Sequence, residues 1–214
     1  MVEIIPAILV KDKTDFSSKI NAVAPYVKCV QIDIMDGKFV PNTTLAIEEM
    51  PPIPSSLEVE YHLMVEKPLE YIKKIQAKKF GNKNVVYALH VESLADIGVA
   101  IAEVKKMGGK VALAISPDTP VEKLEPYLKK IKHVLVMTVY PGFSGQSYLS
   151  KMEEKMKWLS ARGVVVEVDG GVGIGSAKTA AKAGATLLNV ASAIFSKSDT
   201  KKAIEELEKD ARTD

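Results

Sequence analysis

A chain of 214 residues with 47% apolar and 26% charged residues lies inside the globular range and is long enough for one sizeable core. That balance excludes disorder as a main theme, and a formal charge of +2, with both signs interspersed, leaves no footprint for nucleic acid or an anionic membrane. The single cysteine, Cys29, excludes an internal disulfide and reads as a small buried hydrophobe.

The opening, MVEIIPAILVKDK, carries glutamate instead of a basic leader region and soon meets proline and lysine. It fits neither a signal peptide nor a spanning helix, so a cytoplasmic location is the expectation. Short Val/Ile/Leu-rich runs then alternate with longer stretches whose apolar residues recur at three and four. The runs are EIIPAIL from Glu3, CVQIDIM from Cys29, LEVEYHLMV from Leu57, NVVYALHVE from Asn84, KVALAIS from Lys110, HVLVMTV from His133, VVVEVD from Val164 and TLLNVAS from Thr186. Their starts lie 22–31 residues apart, room for one strand, one helix and two short loops.

Helices are predicted at 15–24, 68–79, 94–108, 120–131, 149–163, 175–184 and 200–210, with Gly81, Gly108, Gly163 and Gly184 placed to stop four of them. The second unit is irregular, because NTTLAIEEMPPIPS carries Pro51, Pro52 and Pro54 and has room for only a short helical piece. Eight strand–helix units with strands apolar on both faces predict an α/β fold, a closed (β/α)8 TIM barrel spanning 1–214 as one domain. A doubly wound open sheet is the alternative, but it calls for a glycine-rich loop after the first strand, and IIPAILVKDK has none.

Barrel chemistry sits at the C-terminal strand ends. There the chain places Gln31, Asp33 and Asp36, then His62, His90 with Glu92, Ser116 and Asp169. Gln31 and Asp33 share one face of their strand. Asp33 and Asp169 are either loop-capping carboxylates or a pair able to take a proton from one face of a carbon and return one to the other. His62 is a metal ligand or a satisfied core histidine, with two nearby aspartates favouring ligation; His90 is a supporting or packing residue, and His133 a structural one at the opposite end. Glycine-bearing loops at PGFSGQ, DGGVGIGS and ASAIFS expose backbone N–H groups where barrels hold phosphate. The two arginines, Arg162 and Arg212, lie away from that end, so an oxyanion would be held by backbone and dipole.

The strings IDIMDGKFVPN, YHLMVEKP, SPDTP, MTVYPGFSGQSYL and VEVDGGV, in order along nearly the whole chain, resemble the ribulose-phosphate 3-epimerase family. The resemblance implies a barrel that interconverts D-ribulose 5-phosphate and D-xylulose 5-phosphate with a divalent cation (Zn, Mn, Mg or Fe). It implies Asp33 as proton acceptor and Asp169 as proton donor, both also metal ligands, with His62 as a further ligand. Phosphate contacts would fall on Gly142, Phe143, Ser144, Gly145, Gly170, Gly171, Ala191 and Ser192, with Met35, Met64 and Met137 lining the site. It further implies a homo-oligomer acting on a phosphorylated ketose, without nucleic-acid or membrane partners.

The chain departs from the family at four positions. Gln31 stands where the family has a metal-binding histidine, and its carbonyl is a harder, weaker ligand. Ala7 replaces a serine that touches substrate, Ser116 an asparagine, and Ala191 a glycine beside the phosphate. A ketohexose-phosphate epimerase, on a substrate such as allulose 6-phosphate, and a non-catalytic sugar-phosphate binder are therefore the alternatives. A phosphate-barrel decarboxylase would need lysine where Met35 stands.

Overall fold

The computed structural model describes residues 2–82 and 84–212. Eight parallel strands close into a barrel: β1 (Glu3–Ile8), β2 (Cys29–Met35), β3 (Glu58–Met64), β4 (Val86–His90), β5 (Lys110–Ile115), β6 (His133–Met137), β7 (Val165–Asp169) and β8 (Leu187–Val190). Closure comes from β1 pairing with β8, Ile4 opposite Leu188, so no sheet edge is left unpaired. Each strand falls within the apolar run expected for it.

Helices α1 (Lys13–Val23), α2 (Pro68–Lys78), α3 (Ile97–Lys106), α4 (Glu153–Ser160), α5 (Ser176–Lys182), α6 (Ser192–Phe195) and α7 (Thr200–Arg212) cover the outside. Asp12 starts α1 by accepting from the N–H groups of Thr14 and Asp15, and Asp96 starts α3 by accepting from Val99 N–H. The apolar faces of the helices, such as Phe16, Ile20 and Val23 on α1, pack on the outward strand residues, and this layer is the main core.

Three helix expectations need correction. The segment expected to be helical at 120–131 is a 3-10 run over Val121–Tyr127 that contains Pro126. An α-helix there would need a proline N–H that does not exist and would press the ring on the carbonyl of Glu122. Helix α2 stops at Lys78 with Lys79 itself left-handed (φ 49), so Gly81 is not its cap. Helix α4 starts only at Glu153, preceded by a 3-10 turn over Ser150–Met152. In the proline-rich second unit the only helical piece among the described residues is a 3-10 turn at Ile47–Glu49, as the prolines require.

The barrel interior is divided by chemistry. Ala88, Ala112, Ala114, Leu135 and Met137 make a small apolar cluster on the β4–β6 side. Polar residues fill much of the rest: Gln31, Asp33, Glu60, His62, His90, Glu167 and Asn189 are all buried.

Candidate active site

Inside the C-terminal mouth the strands bring acids and bases into contact. Asp33 on β2 sits beside His62 on β3 in register, as Asp169 on β7 does beside Asn189 on β8. His62 Nδ1 lies 3.0 Å from Asp33 Oδ1 and 3.2 Å from Asp169 Oδ2. Gln31 Nε2 donates to the same two oxygens, at 2.9 Å each. Strand β1 runs between β2 and β8 and carries only the methyl of Ala7 opposite Gln31, so Asn189 Nδ2 reaches over it to donate to Gln31 Oε1.

A second chain of contacts leads outward. His62 Nε2 lies 2.9 Å from His90 Nε2, and His90 Nδ1 lies 3.3 Å from Glu92 Oε2. Glu92 Oε1 in turn accepts from Ser116 N–H and the Thr119 hydroxyl. Burial alone would lower His62, but its bonds to Asp169 and Asp33 outweigh burial and push it up to about 9. The two carboxylates thus favour the imidazolium form. His90 goes down, through burial and the nearby His62 charge. Burial would raise Glu92, yet hydrogen bonds from His90 and Thr119 carry it down to about 2. These directions select one proton arrangement: His62 donates from both nitrogens, and neutral His90 accepts at Nε2 and donates from Nδ1 to a charged Glu92. Asp33 is raised, first by burial and then by the Asp169 charge, against the hydrogen bond from His62.

Above this floor one cleft is lined by Ala7, Asp33, Met35, Met64, Met137, Gly142, Phe143, Ser144, Gly145, Asp169, Gly170, Gly171, Ala191 and Ser192, together with Leu9, Val139, Pro141, Val172 and Asn189. Every residue expected at the site lines it except His62 and Gln31, which lie beneath and hold the carboxylates from below. Ser116 serves Glu92 through its backbone, and Asp36 caps its own loop by accepting from the N–H groups of Lys38 and Phe39 and ties it to the loop after β3 by accepting from Glu66 N–H. His133 lies at the other end of the barrel.

The loop Tyr140–Gln146 is fixed from within and across. Gln146 Nε2 donates to the carbonyls of Tyr140 and Phe143, and Asn42 Nδ2 donates to that of Gly142. Glycine is obligatory at 171, where φ is +66 and an added Cβ would lie 2.5 Å from Tyr148 N. Position 191 is different: Ala191 has a negative φ of −105 with ψ −82, so no left-handed backbone calls for glycine there.

Asp33, His62 and Asp169 each offer one ligand atom within 4.8 Å of the others, a mixed carboxylate and imidazole set that suits a divalent cation. Gln31 turns its amide nitrogen, not the expected carbonyl, toward them, because Asn189 occupies the carbonyl. Asn189 Oδ1 is buried with no partner among the described residues. Exchanging N and O in both amides therefore loses no bond between them and would give the Gln31 carbonyl to a cation. Asn189 was not singled out in the sequence, although it interrupts the apolar run TLLNV as Asp33 interrupts CVQIDIM.

The sequence model described as the ribulose-phosphate 3 epimerase family matches residues 3–195. Ribulose-phosphate 3-epimerase of Bacillus subtilis (strain 168) is 35% identical over 221 residues, covering 97% of this chain and 98% of that protein. The enzyme of the same name from Methanocaldococcus jannaschii is 36% identical over 186 residues, covering 82% and 76%. Among solved structures, KGPDC from Streptococcus mutans superposes with a TM-score of 0.73 at 12% identity over 99% of this chain and 97% of that one. A 3-hexulose-6-phosphate synthase gives 0.69 at 17% identity, covering 97% and 99%; at such identities the likeness is one of fold. Among the described residues no helix is long and apolar enough to cross a membrane.

Proposed function

The chain belongs to the ribulose-phosphate 3-epimerase family, and on that premise we propose that it interconverts D-ribulose 5-phosphate and D-xylulose 5-phosphate by two-base proton transfer at C3. The observation that carries the reading is the pair Asp33 and Asp169. Their carboxylates come from two strands, β2 and β7, line one cleft, and have oxygens that meet the same Gln31 nitrogen.

With the ketose between them, Asp33 takes the C3 proton and Asp169 delivers one to the opposite face; the reverse reaction exchanges the two roles. Burial strengthens Asp33 as a base, since its carboxylate gives up less by accepting a proton. His62 and Gln31 donate to both carboxylates and fix their oxygens for transfer. Met35, Met64 and Met137, each 5% exposed or less, wall the reacting carbons with apolar surface and keep water from reprotonating C3 at random. The loops at Gly142–Gly145, Gly170–Gly171 and Ala191–Ser192 present backbone to the phosphate, and no arginine lines the cleft among the described residues. Asp33, His62 and Asp169 would hold a divalent cation once His62 Nδ1 gave up its proton to make way for it, and the bound cation would then supply positive charge to the enediolate oxygens.

The test is deuterium incorporation at C3 from heavy water with each pentulose phosphate. Exchange with both isomers is expected, and binding without exchange would instead mark a sugar-phosphate carrier. Asp33→Asn and Asp169→Asn should each lower kcat by at least about 10²-fold, while phosphate still protects the protein from heat.

A further inference from the structure

Two residues before His62 and Asp169, on the same faces of the same strands, stand Glu60 and Glu167. They are 2% and 0% exposed. His133, the first residue of β6, reaches them from the N-terminal rim, its side chain 17% exposed and its Nε2 2.8 Å from Glu167 Oε2. That approach is close without being aligned as a hydrogen bond. Among the described residues Glu60 Oε1, both Glu167 carboxylate oxygens and His133 Nε2 are buried and have no hydrogen-bond partner. One ligand atom from each of the three residues lies within 4.8 Å of the other two.

Two buried carboxylates cannot stand side by side unless something positive lies between them. A proton shared by Glu60 and Glu167 would satisfy one oxygen of each and leave the second Glu167 oxygen and His133 Nε2 as they are. A cation coordinated by all three side chains would satisfy the cluster as a whole.

We propose that Glu60, His133 and Glu167 form a second divalent-cation site at the N-terminal end of the barrel interior. Its donors, carboxylate oxygen and imidazole nitrogen, fit a first-row transition ion of the Zn²⁺, Mn²⁺ or Co²⁺ kind better than Mg²⁺ or Ca²⁺. The site stands two residues, about 7 Å along the strands, below Asp33, His62 and Asp169, and shares no residue with them. It ties β3 to β6 and β7 across the barrel, so its ion is a brace independent of the reaction at the mouth. His133, the partly exposed member, marks the entry path.

Metal-stripped protein titrated with Co²⁺ alone tests this, read by visible absorption and by elemental analysis after desalting. In an Asp33→Asn background, which weakens the mouth, one equivalent of Co²⁺ should remain. His133→Gln and Glu167→Gln in that background should each weaken it by about tenfold or more. His133→Gln alone should keep the epimerisation rate of the parent while binding one equivalent fewer. Retention of no Co²⁺ by the Asp33→Asn protein, or an affinity that neither lower substitution changes, overturns the proposal. Should Glu167→Gln fail to fold, His133→Gln at the rim decides alone.

Discussion

Gln31 holds two carboxylates with one amide nitrogen, and Asn189 decides which end of that amide they see. Gln31→His puts an imidazole ligand in its place and should raise Zn²⁺ affinity by about tenfold or more, measured by competition with a chromophoric chelator. His90 does not line the cleft and bonds to Glu92 rather than to Asp33 or Asp169, yet it accepts from His62 and so sets which His62 nitrogen faces those two acids. His90→Ala should cost about 10–100-fold in metal affinity or activity, with His90→Gln recovering part, and both are read by metal titration beside steady-state rates. Asp33, His62 and Asp169 were legible in the sequence because polar residues at apolar strand ends stand out. The His62–His90 contact was not. His62 pairs in register with Ala88, and only the stagger of neighbouring strands in a closed barrel brings residue 90 to its ring. Glu60 and Glu167 carried the same signal as Asp33, a polar residue in an apolar run. Alternation by itself does not say which face of a strand turns inward.

At the scale of elements, caps and prolines decide where helices run. Asp12→Ala removes the acceptor for two N–H groups of α1 and should cost about 1 kcal/mol. For a chain of this size that lowers Tm by about 2–4 °C, which calorimetry resolves. Strand positions were readable because Val, Ile and Leu runs bounded by glycine or charge have no other use in a barrel buried on both faces of its sheet. The segment Val121–Tyr127 was misread as α-helix because its apolar spacing suits one, while Pro126 forbids the backbone bond that spacing calls for. At the Gly171 turn, Gly171→Ala should destabilise by at least about 2 kcal/mol, since a positive φ and a backbone clash combine. Urea unfolding would report it.

Across the whole molecule, buried charge makes stability depend on pH in a direction that can be stated. Glu92 is held near 2 in the fold against an ordinary 4.5, so it contributes stability that is fully present above about 4.5 and lost as pH falls toward 2. Glu92→Gln should lower the urea midpoint at neutral pH, and the gap from the parent should narrow steadily through that acid window. The closed barrel also carries its apolar burial almost entirely outside, between strands and helices, while a column of amides, acids and imidazoles runs down the axis. Unfolding therefore hydrates polar groups where an aliphatic axis would release hydrocarbon, and polar hydration subtracts from the heat-capacity increment. The free-energy dome of this protein against temperature should accordingly be broader and shallower than that of an equally long barrel filled with leucine and valine.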